Sequence, residues 1–203
     1  LNTIALWKQE SRDRSRIARP ADDPGFAEAW SVYARDGVAR LRLVAIGLGT
    51  LAFGMQDVLL EPYGGQMLGM PVGDTTSLTA ALAGGGLAGF SFASWVLGRG
   101  ADPLRMAGAG ALCGLPAFAL VILSSSLGSV PLFTLGVFGV GLGGGLFGHG
   151  TLTATMNSAP REQAGLALGA WGAVQATAAG VAIALGAVLS DLVTALAQRG
   201  LLG

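Results

Sequence analysis

Five long apolar runs, at about 40–61, 76–98, 103–124, 131–157 and 163–190, decide what this chain can become. Each reaches the roughly 20 residues that carry an α-helix across a hydrocarbon core. They are continuously apolar rather than alternating, so they read as helices and not as barrel strands. The fold class that follows is an all-α polytopic membrane protein. Only 12% of residues are charged and the formal net charge is zero, and nothing in that balance suggests a nucleic-acid partner. Glycine is abundant inside the runs, and Gly85/Gly89, Gly110/Gly114, Gly139/Gly143, Gly141/Gly145 and Gly165/Gly169 repeat at the small-xxx-small spacing that lets helix backbones approach. All five pairs are expected to pack helix on helix. The densest stretch, Gly141–Gly148, is not a phosphate loop, because no strand precedes it and no lysine follows it. Cys113, the one cysteine, sits in an apolar run and reads as a small hydrophobe.

Charge is segregated toward the start. Eight of the twelve Lys and Arg lie within residues 1–42. Residues 1–7 read as the end of a preceding transmembrane helix, which makes the sequence a piece of a longer protein. Residues 8–39 form a cytoplasmic central loop, whose first part, 8–23, is mixed-charge and without apolar period. A short amphipathic helix over about 24–35 follows, with Asp23 as cap, Pro24 in its first turn, and Phe26, Trp30, Tyr33 and Ala34 on one face. Residues 40–203 form the transmembrane bundle. Arg40 and Arg42, Arg99 and Arg105, and Arg161 fall on one side if the five helices alternate, and the positive-inside rule makes that side cytoplasmic. A helix returning after the fifth span is expected beyond this sequence.

Polar residues inside the runs are the candidate sites. Asp57 lies roughly 21 Å along the helix from Leu43, deep in the bilayer, where a carboxyl must be protonated, paired or facing a wet cavity. With Gln56 and Glu61 it forms a proton-titrating or ligand-binding group, or else a structural hydrogen bond and an interfacial acid; Pro62, Gly64 and Gly65 are expected to break the helix there. His149, the only histidine, can ligate a metal, including the magnesium of a chlorin, or can bond neutrally to Thr151, Thr153 or Thr155. Trp171 and Gln175, four apart, can hold a planar ligand or fill a small-residue interface. Trp95 reads as an interfacial anchor. In the link that contains Arg99, Asp102 and Arg105, Asp102 either caps the next helix or acts as a charge latch between conformations. No catalytic constellation and no metal-ligand cluster is present, so an enzyme is not expected.

Four stretches resemble one family. Phe53-Gly-Met-Gln-Asp-Val-Leu-Leu-Glu-Pro-Tyr-Gly-Gly65, Leu97-Gly-Arg-Gly-Ala-Asp-Pro103, Gly143-Gly-Gly-Leu-Phe-Gly-His-Gly-Thr-Leu-Thr-Ala154 and Ala164-Gly-Leu-Ala-Leu-Gly-Ala-Trp-Gly-Ala-Val-Gln-Ala-Thr177 are similar to the PucC/LhaA proteins of phototrophic bacteria. The likeness runs from about residue 40 to 190. It implies the major facilitator superfamily fold, here the central loop and the C-terminal six-helix half without its last helix. It also implies a non-enzymatic assembly factor for LH1 or LH2 antenna complexes in the bacterial inner (intracytoplasmic, chromatophore) membrane. Such a factor hands bacteriochlorophyll a to the light-harvesting antenna α/β polypeptides or chaperones them, with the reaction centre-LH1 complex as a further partner. Pigment would be bound through magnesium or by packing, with His149, Trp171 and Gln175 as its contacts. Asp102 and Arg105 match the superfamily's loop signature, but its doubled basic end is absent. The alternatives are a proton-coupled small-solute transporter titrating at Asp57 and a structural subunit docked on a light-harvesting ring.

Overall fold

The computed structural model describes residues 26–160 and 163–199. The expected preceding-helix tail at 1–7, the charged linker, the start of the amphipathic helix with Asp23 and Pro24, and Arg161 lie outside the described residues. Among the described residues the chain forms α1 (Phe26–Arg35), α2 (Gly37–Gly54), α3 (Leu60–Leu68), α4 (Val72–Leu97), α5 (Pro103–Leu127), α6 (Val130–Ser158) and α7 (Ala164–Gln198), with a 3-10 turn at Met55–Val58. Five of these segments are long and apolar enough to cross a membrane: Gly37–Val58, α4, α5, α6 and α7 up to Leu196. No strand occurs among the described residues.

Local chemistry sets the ends. Asp36 caps α2 by accepting from the Val38 amide at 3.0 Å. Asp102 caps α5 by accepting from Leu104 N at 2.7 Å and Arg105 N at 3.2 Å, with Pro103 in the first turn, where no N–H is required. Gly69 and Gly128 end α3 and α5 in the left-handed region, at φ 64° and 59°. α4 begins four residues before its apolar run, because Thr75 and Thr76 return their hydroxyls to the Val72 carbonyl. That removes the cost of polar side chains in its first turns.

The expected break at Pro62, Gly64 and Gly65 falls elsewhere. The helix tightens at Met55–Val58 and resumes as α3, which contains all three residues and stops only at Gly69. Pro62 sits in the first turn of α3, where its missing N–H costs nothing.

α6 is the central helix, with α4 on one side and α5 on another. Its glycines divide between them. Gly141 and Gly145 face the α4 backbone: a Cβ on Gly145 would collide with the Gly86 carbonyl oxygen and stand 3.0 Å from Phe90 N. Gly139 and Gly143 face α5, where a Cβ would stand 2.9 Å from Ala117 Cβ and 2.8 Å from Gly110 O respectively. Gly85, Gly89 and Gly110 reciprocate from the neighbouring helices, and Gly114 meets the Phe53 ring of α2. At the end of the bundle away from Arg42, Leu60, Leu78, Val121, Phe133 and Val137 form an apolar core.

The fifth glycine pair behaves differently. A Cβ at Gly165 or Gly169 would meet nothing within 4 Å. α7 packs mainly on α2 and the 3-10 turn, and touches α6 less. Among the described residues Gly165 and Gly169 therefore meet no helix; they open onto a groove.

Candidate functional site

The groove lies between α2 and α7. The two helices touch where small residues permit: a Cβ at Gly54 would stand 3.1 Å from Ala182 Cβ, and one at Gly186 would stand 3.0 Å from Met55 O. They also approach at Gly47, where a Cβ would stand 3.3 Å from Val174 Cγ1, and beside these contacts lies a volume of about 850 Å³ walled by Leu43, Gly47 and Leu51 of α2 and by Gly169, Ala173 and Thr177 of α7. Trp30 of α1 and Arg40 stand on its wall. Small side chains on α7 leave its backbone close to the groove, the condition under which a helix or a flat apolar molecule can approach closely. Among the described residues its wall carries no His, Cys, Asp or Glu.

The residues singled out from sequence lie elsewhere, in separate places. Gln56 is buried in the 3-10 turn, and its Nε2 donates to Asp57 Oδ1 at 2.7 Å, while Asp57 itself is exposed on the outside of the described bundle. Glu61 is also exposed and accepts from Thr79 Oγ1 of α4 at 3.0 Å. The two carboxylates thus go to different partners. Gln56 Oε1 and Thr50 Oγ1 are buried without a hydrogen-bond partner among the described residues.

His149 is half-buried on α6 with its ring centroid 4.1 Å from that of Phe90 on α4, at 59°. Its Nδ1 is buried and has no partner among the described residues; Thr151 donates to Gly148 O and Thr155 to Thr151 O. Trp171 reaches α6 from α7, donating Nε1–H to Thr151 Oγ1 at 3.3 Å. Positions 149 and 151 are roughly 200° apart around a helix. His149 therefore faces α4, and Trp171 meets another side of α6. Gln175, half-buried one turn beyond Trp171, makes no hydrogen bond among the described residues. The structure places His149 against Phe90 and Trp171 against Thr151, on different sides of α6. The only imidazole has Phe90 against its ring and does not line the groove, so the residues present do not fit magnesium ligation of a chlorin held there.

The Trp171–Thr151 bond ties α7 to the central helix. Trp171→Phe keeps the ring and removes the donor, at an expected cost of about 0.6 kcal/mol, the average for such bonds between transmembrane helices. A lowered thermal midpoint in detergent, with unchanged helix content, would report it.

In the link after α4, Asp102 serves as the α5 cap, and among the described residues it forms no ion pair. Arg99 folds back on α4, its Cζ 3.5 Å from the Trp95 ring centroid and its Nη1 donating to Trp95 O at 3.3 Å. Arg105 is exposed. The Gly165/Gly169 spacing was the sequence signal for the groove. It marks close approach without saying whether another described helix makes it.

Five membrane-length helices held by backbone contacts at glycine define a polytopic helical membrane protein. Within that class the chain belongs to the PucC family, since the family model described as PUCC protein matches residues 1–203. It is 60% identical over 195 residues to "Protein PucC" of Rhodovulum sulfidophilum, covering 95% of this chain and 43% of that protein. It is 59% identical over 196 residues to "Protein PucC" of Cereibacter sphaeroides, covering 97% of this chain and 43% of the relative. It is 31% identical over 211 residues to the "Bacteriochlorophyll synthase 44.5 kDa chain" of Rhodobacter capsulatus, covering 95% of this chain and 46% of that protein. The chain thus spans less than half the length of these curated relatives. No solved structure matches.

Proposed function

We propose that this chain is the C-terminal membrane part of an assembly factor for bacterial light-harvesting antenna complexes, LH1 or LH2, in the photosynthetic inner membrane. Membership of the PucC family over the whole chain is the observation that carries the reading. The α2/α7 groove supplies a mode of action. Its small apolar wall suits a transmembrane antenna α or β helix, or a bacteriochlorophyll a held by packing, and binds either without chemistry. Delivery of pigment and chaperoning of the polypeptide are two uses of one surface, because both present an apolar client to a bilayer-embedded groove.

Complementation tests the reading. In a phototroph deleted for its own family member, the full-length protein restores near-infrared antenna absorbance. Normal protein levels in the membrane with no recovery of antenna would overturn it.

A further inference from the structure

Two cavities meet at one arginine at the end of the bundle that carries Arg99 and Arg105. The first, about 310 Å³, is bounded by α1, the first turns of α2, the end of α6 and the residues leading into α7, with Tyr33, Arg42, Ser158 and Gln163 on its wall. The second, about 230 Å³, lies between α2, α5 and α6 and is almost wholly apolar, with Ala45, Leu104, Ala107 and Phe147 on its wall. Arg42, Ile46 and Thr155 line both. A polar chamber and an apolar crevice therefore share a boundary, and the boundary carries a positive charge.

The donors and acceptors show what is left over. Asp36, on the polar wall, accepts from the Val38 amide through Oδ1 as a helix cap, and its charge stands on the same wall as that of Arg42. The Ser158 hydroxyl donates to Ala154 O at 2.6 Å and that of Thr155 to Thr151 O at 2.9 Å. Arg42 is half-buried, and among the described residues its guanidinium has no hydrogen bond and no ion pair. The guanidinium is open to the chamber, and its N–H donors are free to take the oxygens of an anion. Burial pushes the Tyr33 hydroxyl above its ordinary pKa, with Arg42 acting the other way and Asp36 adding to the rise, so it remains a neutral O–H donor beside that charge.

The geometry points to a binding site for an anionic phospholipid, with its phosphate on Arg42 and Tyr33 and its hydrocarbon lying in the crevice of Ala45, Ala107 and Phe147. A free phosphate would use the polar chamber alone and leave the crevice unexplained. Basic pockets between transmembrane helices at headgroup depth are where anionic lipids bind. The bidentate fork of arginine suits a phosphodiester better than a point charge does.

The full-length protein, delipidated in mild detergent, is titrated with phosphatidylglycerol, phosphatidylcholine or inorganic phosphate. Native mass spectrometry counts bound lipid, and thermal melting reads stabilisation. Phosphatidylglycerol is expected to remain as a discrete adduct and raise the midpoint, and Arg42→Gln to weaken it about tenfold, the equivalent of one charge-assisted hydrogen bond. Arg105→Gln removes an exposed charge outside both cavities and leaves binding unchanged. Equal stabilisation by inorganic phosphate would assign a soluble anion and overturn the lipid. Equal retention of phosphatidylcholine, or an equal loss in Arg105→Gln, would overturn the site. If Arg42→Gln does not fold, Tyr33→Phe carries the test: weaker phosphatidylglycerol binding supports the site, and unchanged binding overturns it.

Discussion

Ala173→Trp in the full-length protein is expected to give normal amounts of inserted, folded protein and almost no antenna assembly. Ala173 is exposed on the groove wall, so the new indole enters open space rather than the packed bundle. Stability therefore changes little, since no core neighbour must move. The client's view is different. A ring that fills part of an 850 Å³ groove removes the surface the client would cover. A misfit of this kind costs about 1–3 kcal/mol, which is up to roughly a hundredfold in occupancy at 1.4 kcal/mol per decade. Membrane abundance by immunoblot and antenna absorbance in complemented cells check both halves of the expectation. Ala173→Ser, close in size, leaves assembly intact. Normal antenna in the Trp variant would show that the groove is not the client surface.

Gly145→Leu is expected to abolish the folded bundle, and Gly145→Ala to lower the thermal midpoint by several degrees. A Cβ here meets the Gly86 carbonyl and the Phe90 amide, which are backbone groups inside α4. A side chain can rotate away; a helix backbone moves only as a unit. Relief therefore means separating α4 from α6, which forfeits contacts along the whole interface. For the single methyl, overpacking of about 1–3 kcal/mol is the appropriate scale. In lipid the hydrophobic effect does not compensate, because acyl chains are as apolar as the helices and association rests on close packing itself. Gly172→Ala, where the added Cβ meets nothing within 4 Å, is the control. It should be neutral or slightly stabilising, by about 0.5–1 kcal/mol, as expected for replacing a helical glycine. Melting of the three variants in one detergent decides between these outcomes.

The five spans were legible because hydrophobic length is a local property, and Asp102 with Pro103 announced the start of α5 for the same reason. Four glycine pairs could be read as contacts because α6 lies between two helices and uses glycines against both. Gly165/Gly169 carried the same pattern, yet in the described residues it faces a groove. Spacing says that a backbone can be approached; it does not say by what. The turn at Met55–Val58 was misplaced onto Pro62 and its glycines, since a proline in a helix's first turn looks in sequence like a proline that ends one. The separation of His149 from Trp171 was not legible at all. It depends on which side of α6 each neighbour occupies, and the bond from Trp171 to Thr151 joins residues twenty apart on different helices.

Isolation of the full-length protein from phototrophic membranes in mild detergent, with mass spectrometry of its partners and an absorbance spectrum of the same fraction, bears most directly on the assembly role. Antenna α or β polypeptides should co-elute with wild type, with or without a bacteriochlorophyll band, and be lost from Ala173→Trp. A clean fraction holding neither antenna polypeptide nor pigment would contradict the assembly role.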